Sequence, residues 1–554
     1  MRIACRGERR ASMTGELQNI AGGSDMALDR RDGLLAGVLA VASLAAFLVT
    51  LAPELMDSDC AEFYTQAVML GYAHPTGYPV YLLLAKLATL IPVGEVPYRV
   101  HLLSAIMGAL ATTLVYLVGR LLTGRRWLPI AGAVALAISP TFWSQAIIAK
   151  VYTSGIVFML AVLGCLELWR QGGRLRWLFA AGCLGGICLG VHITHALMAP
   201  AVLVLLALTP RRWKANWLTA VAGATTGVAV TLAAYAVIDR IDSPTSYFRA
   251  VIGPSRSEWG LSAESLDSFH GRLALCLSPP QYKELLFSKP AGVMKEKAAW
   301  YAGNLLYEFP LPWLALSLAG VYWLGRRNWR MTLLLLLTYF THLGYDLIYD
   351  MGGIHVLYIA TYVPLVLLAV AGLALLGDGC RALVRRSGRL RLLSAADPAV
   401  ALLGVALVVW PLLWPQAWDN QHRRTFRVPP EEEDMVRIEQ SPKLHEAARQ
   451  LVRELEPGAV LFTGWCPLYA YYYCAYVEQG RRDLLFIQDY PRAYHDELAD
   501  SALDYVAQVS SQRPVYFTHV VRKVAQRFEM TPVRRGQETL YRVGKPIAKA
   551  RTPQ

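Results

Sequence analysis

The sequence predicts a polytopic α-helical membrane protein carrying a small C-terminal α/β domain. Three observations carry that expectation. Of the 554 residues, 55% are apolar and only 17% charged, where soluble domains run nearer a quarter charged. The apolar residues fall in blocks of about 15–25, the length that crosses a bilayer. Arginines gather in the short connections between those blocks, as membrane topology requires and a soluble surface does not.

Eleven spans are expected, at 34–53, 99–118, 128–144, 151–169, 177–191, 195–209, 217–238, 311–325, 331–349, 355–376 and 399–416. Several are short for a spanning helix, so their ends must extend into the flanks. The charges test the set. Arg30 and Arg31, the loop 119–127 (Arg120, Arg125, Arg126), the loop 170–176, the loop 210–216, the loop 326–330 and the loop 377–398 all fall on one side. The positive-inside rule makes that side the cytoplasm. An error of one span would scramble the pattern. The segment 1–33 is then a polar, cytoplasmic N-terminus in which Met13 or Met26 could be the start, and the first span is uncleaved.

Three larger pieces fall outside: the loop 54–98, the loop 239–310 and the tail from 417 to 554. In the tail, 443–455 has helical periodicity, Ala459–Thr463 reads as a buried strand, and the Tyr-rich 468–477 as a helix. Leu484–Gln488 and 515–518 read as further strands with a helix at 495–509 between them. Alternating strand and helix implies a parallel sheet. No GxGxxG turn argues for a dinucleotide. A basic, disordered stub closes the chain.

The net charge of +13 would suggest nucleic acid in a soluble protein. Here the loop arginines account for it, and no nucleic-acid-binding signature is present. Nine cysteines show no metal-like CxxC spacing. Cys165, Cys183 and Cys188 lie in apolar spans as small buried hydrophobes. Cys466 and Cys474 could pair in an oxidising compartment.

The loop 54–98 is acidic, with Glu54, Asp57, Asp59, Glu62 and Glu95 against Lys86 alone. Asp59 and Glu62 are three apart and share a helix face. His74-Pro75-Thr76-Gly77-Tyr78-Pro79 cannot be regular helix and fixes a sharp turn. Residues 80–91 are apolar but span only about 18 Å as helix, which fits a helix lying at the membrane surface. Carboxylates there can meet a substrate with a lipid tail and a polar head. Glycosyl transfer with inversion needs a base for the acceptor hydroxyl and positive charge or N–H donors for the departing phosphate. Arg99, Lys150, His74, His192 and His195 are candidates for the second role, because the topology puts them near the outer face. Bland readings compete: a solvated Asp59, a turn-capping His74, a snorkelling Arg99, a packing His192. The residues alone mark only a candidate site. A transporter or flippase is the competing class, disfavoured because the ionisable groups sit at one face and no repeat is visible. An inactive scaffold is a third reading, against which the presence of Asp59 argues.

One resemblance extends this reading. Asp59-x-x-Glu62, then Gly71, Ala73-His74-Pro75-x-Gly77-Tyr78-Pro79, Tyr98-Arg99-Val100 and Leu102-Leu103-Ser104 resemble the signature of glycosyltransferase family 117. That family is made up of bacterial relatives of the eukaryotic transmembrane protein O-mannosyltransferase, within the GT-C superfamily. Weaker echoes are Gly186-x-x-Leu189-Gly190-Val191-His192 and Ile354-His355-Val356-x-Tyr358. The resemblance covers about the first 370 residues. It implies a GT-C fold in a membrane, the bacterial inner membrane by the family's bacterial members. It implies a sugar donor on polyprenyl or dolichyl phosphate and a hydroxyl acceptor on protein, lipid or glycan. Asp59 is then the catalytic base, with Glu62 positioning substrate or tuning that base. His74, Tyr78, Arg99, Lys150 and His192 are expected to bind substrate; no residue is assigned to a metal, and a divalent-metal requirement is left open. Two positions depart from the family pattern. Lys150 stands where the family usually carries Glu, and Gly353 where it often has Asp, with Asp350 nearby.

Overall fold

The computed structural model describes residues 28–413, 442–490 and 497–547. The expectations for residues 1–27, 414–441, 491–496 and the basic stub from 548 lie outside the described residues.

The described chain begins with α1 (Arg30–Val49), whose N-terminus is closed by a reciprocal capping pair, Asp29 and Asp32. The first outer loop follows as α2 (Ser58–Met69) and α3 (Pro79–Ala88). Then come α4 (Val96–Thr123), α5 (Leu128–Ala137), α6 (Pro140–Ala146), α7 (Tyr152–Gly172) and α8 (Leu175–Cys188). A short turn leads to α9 (Ala199–Ala207) and α10 (Trp213–Ile241). After several short turns, α11 (Ala291–Glu308), α12 (Leu311–Ile348), α13 (Ile359–Arg386) and α14 (Ala396–Leu413) complete the membrane part.

Among the described residues, seven helices are long and apolar enough to cross a membrane, and three of the shorter apolar helices, at Leu128–Ala137, Leu175–Cys188 and Ile193–Ala207, occupy further expected spans. The expected spans 311–325 and 331–349 are the two arms of α12, which kinks where Asn328 leaves helical geometry. Close approach of helices is set by glycine. A Cβ on Gly320 would lie 1.7 Å from the Leu368 carbonyl oxygen, so α12 and α13 touch backbone to backbone there. Gly182 and Gly186 on α8 meet Gly223 and Gly227 on α10 in the same way, two small-x-x-x-small stripes face to face.

Four of the six expected basic segments converge. Arg126 pairs with Asp29 and Asp32, Arg120 with Asp32, Arg125 with Asp378 and Asp397, and Arg327 and Arg381 with Asp378. These tie the N-terminus and the loops 119–127, 326–330 and 377–398 at one end of the bundle. The other end of the 28-residue α4, about 42 Å away along its axis, carries the first outer loop.

The C-terminal part is a mixed five-stranded sheet, order β2-β1-β3-β5-β4. Its strands are β1 (Val460–Thr463), β2 (Leu485–Gln488), β3 (Val515–Phe517), β4 (Phe528–Arg535) and β5 (Glu538–Pro546). β1, β2 and β3 are parallel, as alternating strand and helix implied. Helices α15 (Pro442–Glu454), α16 (Trp465–Tyr472) and α17 (Asp500–Val509) cover it. Val460, Phe462, Val515 and Phe517 share a core with Leu503 and Val506 of α17. Leu461, Phe486 and Tyr516 join instead the core that runs through α16 into the first outer loop.

Three expectations are corrected. The antiparallel β4–β5 hairpin was not foreseen: its strands are mostly exposed and rich in Arg, Lys and Glu, so they lack the apolar alternation that marks a half-buried strand. Cys466 is an exposed thiol and Cys474 a buried one, both free rather than paired. The helix expected at 495–509 begins only at Asp500 among the described residues.

Candidate functional site

The site starts with α2. Asp57 stands at its N-cap position, and Asp59 in its first turn favours that end of the helix dipole. The helix stops where Leu70 turns left-handed, ahead of Gly71. The chain then makes the expected sharp turn. Gly77 takes φ +76°, and a Cβ there would press on Cys276 and Tyr235. Tyr235 from α10 donates its hydroxyl to the Thr76 carbonyl at 2.5 Å, and the Val80 N–H bonds Gly190 O at 2.9 Å. These contacts pin the His-Pro turn against α8 and α10.

The turn folds His74 back over α2. Its backbone N–H donates to Glu62 Oε1 at 2.7 Å, and Nδ1 lies 2.5 Å from Glu62 Oε2. Nε2 lies 2.9 Å from the Tyr78 hydroxyl. Glu62 is fully buried. Burial pushes its carboxyl up, opposed by His74. Burial pushes His74 down, but the charges of Glu62 and Asp59 outweigh it and hold the imidazole above its ordinary value.

Asp59 faces the other way. Lys150 Nζ donates to Oδ2 at 2.7 Å and Trp465 Nε1 to Oδ1 at 3.3 Å. Burial pushes Asp59 up, yet the Lys150 ammonium, His74 and these hydrogen bonds prevail and hold it well below the usual carboxylate range. Lys150 is held up in turn, because Asp59 outweighs its own burial. Lys150 therefore balances Asp59; Glu62 is balanced by His74.

Asp59, His74, Tyr78, Lys150 and His192 line one cavity of about 1490 Å³, so the structure brings together five of the seven site residues expected from sequence, with Glu62 directly behind His74. Burial, helped by the charge of His74, pushes His192 down to about 4 and keeps it neutral. Arg99 is the exception. Its guanidinium donates to the carbonyls of Thr89, Val93 and Gly94 at 2.8–3.0 Å, closing the end of α3, and it does not line the cavity. A residue in the first turn of a spanning helix looks available from sequence, yet the loop folds back and each of its three nitrogens donates to a loop carbonyl. His195 lies deeper, its ring against Gly155 and next to His342.

Further lining residues come from segments far from the first loop. Trp465 comes from the C-terminal domain, 406 positions from its partner Asp59. Asp350, on the same wall, pairs with Lys297 at 2.9 Å and Lys289 at 3.3 Å. Nothing in the sequence ties these segments to the first loop; only a Trp directly after a strand end hinted at Trp465. Elsewhere His445, Cys474 and Glu478 lie close enough to share a metal ion. Arg449 already donates to both oxygens of Glu478, which opposes a cation there.

Residues 59–216 match the family model for the Protein O-mannosyl-transferase TMEM260 N-terminal domain. The chain is 33% identical over 168 residues to the mouse (Mus musculus) Protein O-mannosyl-transferase TMEM260, covering 30% of this chain and 24% of that protein. It is 23% identical over 296 residues to Protein O-mannosyl-transferase tmem260 of Dictyostelium discoideum, covering 50% of this chain and 34% of that protein. The matches thus span about a quarter to a third of the length of these curated relatives. Among solved structures, ArnT from Cupriavidus metallidurans bound to undecaprenyl phosphate superposes with a TM-score of 0.54 at 14% identity, over 93% of this chain and 99% of that one. At that identity the likeness concerns the fold. This chain is a polytopic helical membrane protein that shares the fold of that structure and carries a small C-terminal sheet domain.

Proposed function

We propose that this chain is a membrane glycosyltransferase that moves a sugar from a polyprenyl or dolichyl phosphate to a hydroxyl acceptor. On the first-loop motif we place it with glycosyltransferase family 117. The relatives' names make a protein hydroxyl the first acceptor to test and mannose the first sugar. The end of the bundle opposite the arginine-rich loops is outside the cytoplasm, across the inner membrane if the cell is bacterial.

The observation that carries this reading is the Lys150–Asp59 contact at the wall of a large cavity at the membrane face. Asp59 is ionised in the resting site and is the group that takes the acceptor proton. Paired with Lys150 it is a weak base. A donor phosphate entering the cavity gives the ammonium a competing anion. As Lys150 turns to the phosphate, Asp59 loses its counter-charge and its basicity rises, just when the acceptor hydroxyl must be deprotonated. The same ammonium then stabilises the departing phosphate. The buried Glu62–His74 pair fixes the turn that walls the site and presents positive charge beside Asp59.

The test is reconstitution with labelled polyprenyl-phosphate mannose or glucose and a Ser/Thr peptide. A general base contributes about 10²–10⁴-fold, so Asp59→Asn should lose most turnover while expression changes little and donor binding is kept or tightened, because Lys150 is freed for the phosphate. Asp57→Asn should be milder. Transfer at near wild-type rate by Asp59→Asn would refute the mechanism.

A further inference from the structure

Building on this reading, we propose that the outer sheet domain forms a carbohydrate subsite, in which Asp489 accepts hydrogen bonds from the hydroxyls of a hexopyranose held in the same cavity as Asp59.

The argument starts from chain topology. β1 lies between β2 and β3, all three parallel. The chain leaves β1 for one side, then crosses to the other, so the switch point lies at β1. In open α/β sheets ligands bind outside the carboxyl ends of the strands at such a point. Those ends face the cavity: Gly464 and Trp465 after β1, with Gln488, Asp489 and Tyr490 at and after β2, all line it. A Cβ on Gly464 would meet no atom within 4 Å, so the crevice is open there.

The second observation is an incomplete set of hydrogen bonds. Asp489 is only 1% exposed. Its Oδ1 accepts the Tyr490 N–H at 2.7 Å, while Oδ2 has no hydrogen-bond partner among the described residues. His519 Nδ1 lies 3.6 Å from Oδ2, beyond hydrogen-bond reach. Thr463, paired in register one step earlier, also has a buried hydroxyl without a partner. Unsatisfied buried polar atoms are rare and call for a cause. Adjacent strand ends carrying two of them, beside a cavity, point to a ligand that supplies hydroxyls.

The surroundings select the ligand class. The indole of Trp465 and the ring of Tyr490 stand on the same wall, and His519 Nε2 lies 2.8 Å from the Tyr490 hydroxyl. A carboxylate that accepts from hydroxyls, with aromatic rings for the C–H faces, is pyranose-binding chemistry. The pyranose belongs either to the lipid-linked donor or to a glycan acceptor.

The experiment measures binding of polyprenyl-phosphate mannose and of sugar-free polyprenyl phosphate to the full chain in detergent, for wild type and Asp489→Asn, together with KM for a saccharide and a peptide acceptor. The Asn variant keeps the shape and can still accept from Tyr490 N. Hydrogen bonds to a charged group suggest a loss of about tenfold to a hundredfold. If the sugar is the donor's, Asp489→Asn weakens the mannose-bearing lipid by that factor and leaves the bare lipid unchanged. If it is an acceptor glycan, both lipids bind as before and the saccharide KM rises. Unchanged binding and KM, or a rise confined to the peptide KM, would overturn the proposal. His519→Gln, at a half-exposed position, should show a smaller effect in the same arm and serves if Asp489→Asn does not fold. Failure of the wild type to bind either lipid would instead reject the glycosyltransferase reading.

Discussion

Removing the charge of Lys150 should carry the acid limb of the pH–rate profile upward. Its Nζ lies 2.7 Å from Asp59 Oδ2. Two unit charges about 4 Å apart interact by about 4 kcal/mol at an effective dielectric of about 20. At about 1.36 kcal/mol per tenfold, Lys150→Ala should raise the proton affinity of Asp59 by about 10³-fold. Burial already pushes this carboxyl up, and only His74 and the Trp465 N–H would remain to oppose it. Asp59 acts as a base only when ionised, so activity is present above its pKa and disappears as pH falls through it. In the wild type the carboxyl is held well below the usual range, and kcat/KM should stay flat on the acid side as far as the enzyme survives. In Lys150→Ala the decline should appear in the mildly acidic range. Lys150→Arg keeps the charge and should keep the limb low. The assay is kcat/KM for labelled donor across pH in one detergent, for the three proteins at matched expression. An alanine variant whose acid limb superimposes on the wild type would refute the coupling.

Other predictions follow from single contacts. Glu308, buried and bonded by Ser139 and Thr141, is pushed by burial up to about 7 from 4.5. The folded state therefore binds this proton more tightly than the unfolded chain. Stability is fullest below the unfolded value and falls as pH rises from about 4.5 to 7, by about 3 kcal/mol. Glu308→Gln should flatten that decline in the melting midpoint; an unchanged slope would reject the assignment. Gly320→Ala forces a methyl group onto the Leu368 carbonyl and should lower the melting temperature sharply, by overpacking worth about 1–3 kcal/mol or more; a neutral outcome would mean α12 and α13 separate easily. A reporter active only outside the cytoplasm should work when fused after Gln554 and fail in the loop 210–216; the reverse would invert the topology.

The membrane fold was written in composition and spacing. Among the described residues, apolar helix occupies most of each expected span, because bilayer crossing demands a long apolar run. The parallel core of the outer domain was legible too, since buried β-strands are short continuous apolar runs. The first-loop turn was readable because two prolines and a glycine exclude regular helix. Its neighbours Asp59, Glu62, His74 and Tyr78 are close in sequence, so local geometry alone brings them together.

What depends on long-range packing was decided by the tertiary structure. Whether Lys150 faced Glu62 or Asp59 depends on how α6 and α7 meet α2. Arg99 loses its donors to carbonyls of a loop that folds back upon it. Trp465 reaches Asp59 only because the outer domain docks on the first loop, where Thr65 on α2 also donates to the Tyr469 carbonyl at 3.2 Å. Residue types and their spacing fix local turns and the partition between lipid and water, because those are near-neighbour and solvent effects. Which ammonium neutralises which carboxylate depends on a few ångströms set by the packing of helices far apart in the chain, and no local pattern encodes that distance.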